Sequence, residues 1–140
     1  MEEKDLDITF SWRNDPEVLK YAQTSNPISY NEHESVFKFN NALKLVFEVD
    51  NEPAGYVSCT RSTENLNTEW SFHMGKAHRG KGLSEIMLRS VLYYLKHKEN
   101  YHCITSTVWE HNEKSINLHN KLGFAEGTPE GKFKTYYLYL

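Results

Sequence analysis

The most constraining stretch of this chain is Glu69-Trp70-Ser71-Phe72-His73-Met74, a strand pattern that runs through a basic glycine loop into a long helical pattern ending near Leu95. The loop centre reads Arg79-Gly80-Lys81-Gly82-Leu83-Ser84. Two glycines allow a tight turn and let backbone N–H groups approach a ligand. The first turn of a helix leaves donors unpaired and carries partial positive charge. Strand, loop and helix together predict a seat for a phosphate or pyrophosphate. The spacing is neither the G-x-x-x-x-G-K-S/T of a P-loop nor a G-x-G-x-x-G dinucleotide fingerprint.

Around this unit the other elements can be placed by pattern. Residues 6–12 alternate loosely and predict a short first strand. Asp15 before Pro16 predicts a helix start, with Asp15 as N-cap and Pro16 in the first helical position. Ser29-Tyr30-Asn31-Glu32 has the spacing of a capping box and predicts a second helix to about residue 41. Residues 43–49 and 54–62 predict a hairpin around the turn at 50–53. A polar turn at 63–67 leads to a strand over 68–74, giving three antiparallel strands in succession. The helix at 83–98 carries an apolar stripe of Leu83, Met87, Val91, Leu92 and Leu95, with Glu85 and Arg89 spaced i, i+4. Residues 102–108 predict a strand parallel to 69–74 by the crossover rule. Asn112 predicts the cap of a last helix ended by Gly123, and residues 132–140 a closing strand. The whole is one α+β (mixed α/β) domain over residues 1–140, a central mixed sheet flanked by helices.

Composition narrows the partners. Lys plus Arg total 16 against 19 Asp plus Glu, a net charge of −3, which disfavours nucleic acid. No apolar run reaches the roughly 18 residues of a membrane span, so no membrane partner is expected. The acidic start Met1-Glu2-Glu3-Lys4 does not read as a signal peptide. Cys59 and Cys103 lack metal-ligand spacing and suit reduced thiols in the cytoplasm. The 7 histidines form no zinc motif, so no metal is expected.

The loop resembles the acyl-CoA signature of the GNAT superfamily of N-acetyltransferases, an Arg or Gln followed three residues later by Gly and two later by Gly or Ala. Here the positions are Arg79, Gly82 and Ser84, with Ser in the last place. Asn112 to Phe124 resembles a second motif of the family, N-x-x-S/A-x-x-L-Y-x-K-x-G-F, with His119 in place of Tyr. The resemblance implies that acetyl-CoA is the co-substrate. It also implies that the strand before the loop splays from its parallel neighbour. The pantetheine arm would lie in that gap against Phe72, His73 and Met74. The pyrophosphate would sit on the N–H groups of Arg79, Gly80, Lys81, Gly82, Leu83 and Ser84. Asn112 and Ser115 match positions that touch the coenzyme, and Asn112 also reads as a plain N-cap.

Alternation puts Glu69, Ser71 and His73 on one face of their strand. They read either as a solvated sheet face or as a proton path. On the second reading Glu69 matches the family's general base, with Ser71 and His73 as relays or substrate contacts. His119 reads either as the acid that protonates the departing thiolate or as a packed histidine with one hydrogen bond.

Trp12-Arg13-Asn14-Asp15-Pro16 with Ile28-Ser29-Tyr30-Asn31-Glu32-His33 looks like one branch of the family. That branch includes the ribosomal-protein N-terminal acetyltransferases and the amino-sugar acetyltransferase of the pseudaminic acid pathway. On this resemblance the family's full first strand is shortened or missing. Trp12 either stacks on a substrate or plugs the core. Arg13 either binds a phosphate or pairs with Asp15 or Glu17. The expected protein is an acetyl-CoA-dependent N-acetyltransferase, monomeric or homodimeric, acting on a primary amine, with a nucleotide-linked amino sugar as the favoured acceptor. A protein N-terminus or a small amine as acceptor, and a non-catalytic coenzyme A-binding module, are the alternatives.

Overall fold

The computed structural model describes residues 1–24, 26–39, 42–61 and 66–140. Five α-helices and six strands appear among them: α1 (Leu6–Arg13), α2 (Pro16–Leu19), α3 (Tyr30–Phe39), β1 (Leu43–Val49), β2 (Glu52–Cys59), β3 (Asn67–Met74), α4 (Leu83–His97), β4 (Cys103–Trp109), α5 (Glu113–Lys121), β5 (Ala125–Glu126) and β6 (Phe133–Tyr139). The sheet order is β1-β2-β3-β4-β6-β5. β1, β2 and β3 form the antiparallel meander read from the sequence. β4 runs parallel to β3, and β6 closes antiparallel on β4. The expected turn at 63–67 and the helix end at Asn40 and Asn41 lie largely outside the described residues.

One expectation fails at the start of the chain. Residues 6–12 are helix α1, not a strand. Leu6, Thr9 and Trp12 are its buried side chains, and this three-residue spacing is the face of a helix, which a loose alternation imitates over so short a stretch. The other local signals hold. Asp15 accepts from the Glu17 N–H at 2.9 Å. In the capping box, Ser29 N–H donates to Glu32 Oε2 at 2.6 Å and Glu32 N–H to Ser29 Oγ at 3.2 Å. Asp50 and Asn51 have φ of 50° and 64°, as a two-residue hairpin turn of type I′ requires.

Helix α4 lays its apolar stripe on the sheet to form the core. Met87, Leu88, Val91 and Leu95 are buried along it and join Val57, Cys59, Trp70, Met74, Ile104, Val108 and Tyr136 from the sheet. Each such side chain contributes about 1.5–3 kcal/mol by leaving water. Gly55 lets α4 come close: a Cβ there would lie 2.7 Å from the sulfurs of both Met74 and Met87. Glu85 bonds Arg89 at 2.9 Å on α4 and Lys121 of α5 at 2.7 Å, so it also ties two helices together. No helix among the described residues is long and apolar enough to cross a membrane.

Candidate active site

The two central strands part company early. β3 and β4 pair only at Asn67–Cys103, Thr68–Ile104 and Glu69–Thr105. Beyond that, β3 stays with β2 as far as Met74, and β4 stays with β6 as far as Trp109. The sheet is therefore two halves joined by a short seam, with a widening gap between Trp70–Met74 and the end of β4. The Glu69 carbonyl accepts from Thr60 N–H on the β2 side. Alternation then turns the backbone groups of Trp70, Phe72 and Met74 toward the gap and those of Ser71 and His73 toward β2.

At the open end of the gap stands the glycine loop. Gly80 and Gly82 have φ of 73° and 70°, and nothing would crowd an added Cβ at either position within 4 Å. It is thus the left-handed backbone, not space, that calls for glycine. Gly82 is the N-cap of α4 and has no side chain to satisfy the first turn. The first-turn N–H groups have no intrahelical acceptor, which fits a pyrophosphate. Arg79 anchors this loop from within. Its Nε donates to the Met74 carbonyl at 3.0 Å, and its Nη2 pairs with Asp15 Oδ2 at 3.1 Å. The Asp15 carboxyl is held below the usual carboxylate range, first by the Glu17 N–H and then by Arg79, against the opposing effect of burial. At the start of α5, Asn112 Oδ1 accepts from Ser115 N–H at 3.3 Å, so the N-cap reading of Asn112 is realised.

Glu69 sits at the last pair of the seam. It is exposed, and its Oε1 accepts from the Thr107 hydroxyl at 3.0 Å. It lines an open cleft of about 550 Å³ with Gln23, Glu130, Thr105, Thr107, Thr135 and Tyr137. Among the described residues that line this cleft there are two carboxylates and no lysine or arginine. Sequence reasoning missed Thr105, Thr107, Thr135 and Tyr137. The signal was their period-2 spacing on β4 and β6, which aligns them with Glu69 through the pairs Glu69–Thr105, Thr105–Tyr137 and Thr107–Thr135.

His73 stands apart from Glu69. Its ring lies against Trp12 and Tyr56, at centroid distances of 6.0 and 5.2 Å. Its Nε2 is buried without a partner, as is Arg13 Nη1. Burial pushes the His73 pKa down to about 4, with help from the charges of Arg13 and Arg79. No hydrogen bond among the described residues links His73 or the exposed Ser71 to Glu69. Trp12 is buried and lies over Gly75, where a Cβ would come within 2.7 Å of the indole; this is the core-plug arrangement.

His119 is fully buried. Trp70 Nε1 donates to its Nε2 at 3.2 Å, and its Nδ1 lies 2.7 Å from the Ser115 carbonyl. Indole only donates and a carbonyl only accepts, so the proton is on Nδ1 and both nitrogens are engaged. The ring stacks on Tyr136 at 5.2 Å and meets Phe124 edge-on at 5.0 Å. Burial lowers its pKa, opposed by the Ser115 carbonyl. This geometry favours the packed reading, because no ring N–H is left to offer a thiolate.

Residues 1–125 match the acetyltransferase (GNAT) domain family. A curated relative is the SPbeta prophage-derived uncharacterized N-acetyltransferase YokL of Bacillus subtilis (strain 168), 30% identical over 82 residues. That match covers 57% of this chain and 46% of YokL, so the chain spans about half the length of that relative. Among solved structures, a domain from Methanocaldococcus jannaschii superimposes with a TM-score of 0.86 at 23% identity, covering 100% of this chain and 95% of that one. The spermidine N-acetyltransferase of Vibrio cholerae in complex with CoA and spermine gives 0.86 at 20% identity, covering 99% and 92%. The ribosomal-protein-alanine N-acetyltransferase of Brucella melitensis gives 0.83 at 18%, covering 100% and 97%. The family match over most of the chain, on a sheet that parts where a coenzyme arm would enter, establishes that this chain belongs to the GNAT acetyltransferases.

Proposed function

We propose that this chain transfers the acetyl group of acetyl-CoA to a primary amine, with Glu69 as general base. The observation that carries this reading is the place of Glu69, a carboxylate at the closed end of the strand gap and on the wall of the open cleft. Acetyl-CoA supplies the acetyl group as a thioester. The amine nitrogen bonds to the acetyl carbon, the carbon–sulfur bond breaks, and one nitrogen-bound proton passes to the Glu69 carboxylate. The gap-facing backbone of Trp70 and Phe72, with the donors at Gly82–Ser84, orients the co-substrate. Asn112 and Ser115 complete its binding wall.

For the acceptor we favour an amine that is cationic in solution, a polyamine or a peptide N-terminus, over a nucleotide-linked amino sugar; it loses one proton to water to become the neutral nucleophile and the second to Glu69 on attack. A sugar diphosphate needs a lysine or arginine in the cleft, and the described lining offers Glu69 and Glu130 instead. The coenzyme- and spermine-bound structure of the Vibrio cholerae enzyme, similar in fold, points the same way. The test is thiol release from acetyl-CoA with spermidine, an alanine-initiated peptide and a UDP-linked amino sugar in parallel. Spermidine or the peptide should be acetylated, and Glu69→Gln should lose at least about a hundredfold in kcat. A wild-type protein that binds acetyl-CoA but acetylates none of the three would instead mark a coenzyme-binding module.

A further inference from the structure

Thr105, not Thr107, stands opposite Glu69 in the last pair of the parallel ladder. Yet the hydroxyl bonded to Glu69 Oε1 is that of Thr107, at 3.0 Å. Thr107 lies two residues further along β4, on the same face and beyond the last pair with β3. The Glu69 side chain therefore leans along the gap toward its open end instead of reaching straight across. An ionised carboxylate only accepts, so Thr107 is the donor. Among the described residues no hydrogen bond reaches Glu69 Oε2, which leaves that oxygen to the cleft.

We propose that Thr107 is the positioning residue for Glu69: it holds Oε1 across the strand gap so that Oε2 faces the acceptor amine. This rests on the reading of Glu69 as the base. Three features suit Thr107 to the task. Its β-branched side chain is stiff about χ1. It is half-buried on a strand that β6 pairs along its whole length, with Thr135 directly opposite. Its bond joins the two half-sheets just past their seam, so both walls of the gap fix the base. An exposed glutamate without such a tether visits several rotamers, and misplacement of a reacting group by about 1 Å can cost on the order of a hundredfold.

The test uses the full chain, acetyl-CoA and spermidine or an alanine-initiated peptide, with four variants: Glu69→Gln, Thr107→Val, Thr107→Ser and Glu69→Gln with Thr107→Val. Thr107→Val should lower kcat about tenfold and leave the KM for acetyl-CoA unchanged. Thr107→Ser should recover most of the loss, since it restores the hydroxyl. On the Glu69→Gln background, Thr107→Val should cost nothing more, which a merely structural role would not produce. Three results overturn the proposal while the base assignment survives. These are Thr107→Val within twofold of wild type beside a dead Glu69→Gln, Thr107→Ser as impaired as Thr107→Val, and additive losses in the double variant. Wild-type activity in Glu69→Gln would instead overturn the base assignment and the proposal with it. A crystal structure with coenzyme A bound and the Glu69 carboxylate turned away from Thr107 overturns the proposal even if the valine variant fails to fold.

Discussion

The indole N–H of Trp70 donates to Nε2 of His119 across 3.2 Å, which joins the central strand to the last helix inside an aromatic cluster. Removing the imidazole leaves that indole N–H buried without a partner and opens a cavity. His119→Ala should therefore destabilise the fold by about 3–5 kcal/mol, read by denaturant unfolding. His119→Gln retains an acceptor and should keep kcat within about threefold, because the ring has no spare proton donor. A folded His119→Gln protein with kcat down a hundredfold would restore the acid role.

His73 makes stability fall as the solution turns acid. Its ordinary pKa of 6.5 applies to the unfolded chain, and in the fold it drops to about 4. Between these values the unfolded state binds the proton and the folded state does not, so stability rises with pH across that window. The slope reaches about 1.4 kcal/mol per pH unit. Arg13, Arg79 and His33 face His73 as positive charges, and Asp15 opposes them. Thermal melts between pH 7 and pH 4 should show a decline that is shallower in His73→Phe, which keeps the aromatic contacts without titrating. Equal declines would remove His73 as the cause.

Asp15 has two tasks that substitution can separate. Asparagine caps a helix about as well as aspartate, so Asp15→Asn should lose only the Arg79 pair, about 1 kcal/mol or less. Asp15→Ala loses the cap as well and should cost about 1–2 kcal/mol. If the pair also steadies the glycine loop, both variants should weaken acetyl-CoA binding, measured by calorimetry, in the same order. The Asp15 carboxyl is held below its usual range first by the Glu17 N–H and then by Arg79, so the joint contribution of cap and pair is present above that range and fades as pH falls below it.

Charge in the cleft should select the acceptor. Glu130→Gln should lower kcat/KM for spermidine about two- to fivefold, the scale of an exposed ion pair. It should leave a neutral primary amine unaffected. Rising salt should narrow the difference between wild type and variant, since the cleft is open to solvent. An equal loss for both amines would locate the effect in folding instead of recognition.

How much of this was legible beforehand depends on the range of each interaction. Asp15-Pro16 and the Ser29–Glu32 box are decided within four residues, and each forms as read; the hairpin turn expected at 50–53 is tighter, Asp50-Asn51 alone, with Glu52 and Pro53 already in β2. The order of the meander and the crossover also forms as read, because chain handedness leaves one solution for β3, α4 and β4. The first helix differs from the strand expected there because its buried side chains are set by distant partners: Thr9 bonds His33 of α3, and Trp12 lies against His73 of β3. Glu69 could be named from alternation. Its link to Thr107 could not, since it depends on where β3 and β4 separate, a tertiary property. The same holds for His119, whose two bonds come from Trp70 and from the helix turn before it. The distance of His73 from Glu69 follows from four residues of strand rise, but the cover that Trp12 of α1 gives its ring is again tertiary.

A sheet whose halves share only three parallel residue pairs has the mechanics of two boards glued along one narrow edge. Whatever fills the space between the boards also braces them. Coenzyme binding would then do for β3 and β4 what missing ladder bonds would have done. Amide exchange at Trp70 and Phe72 should slow on binding by more than local shielding explains, and the slowing should reach β2 and β6. On this arrangement the domain should be most rigid while coenzyme is in place and relax again when it departs.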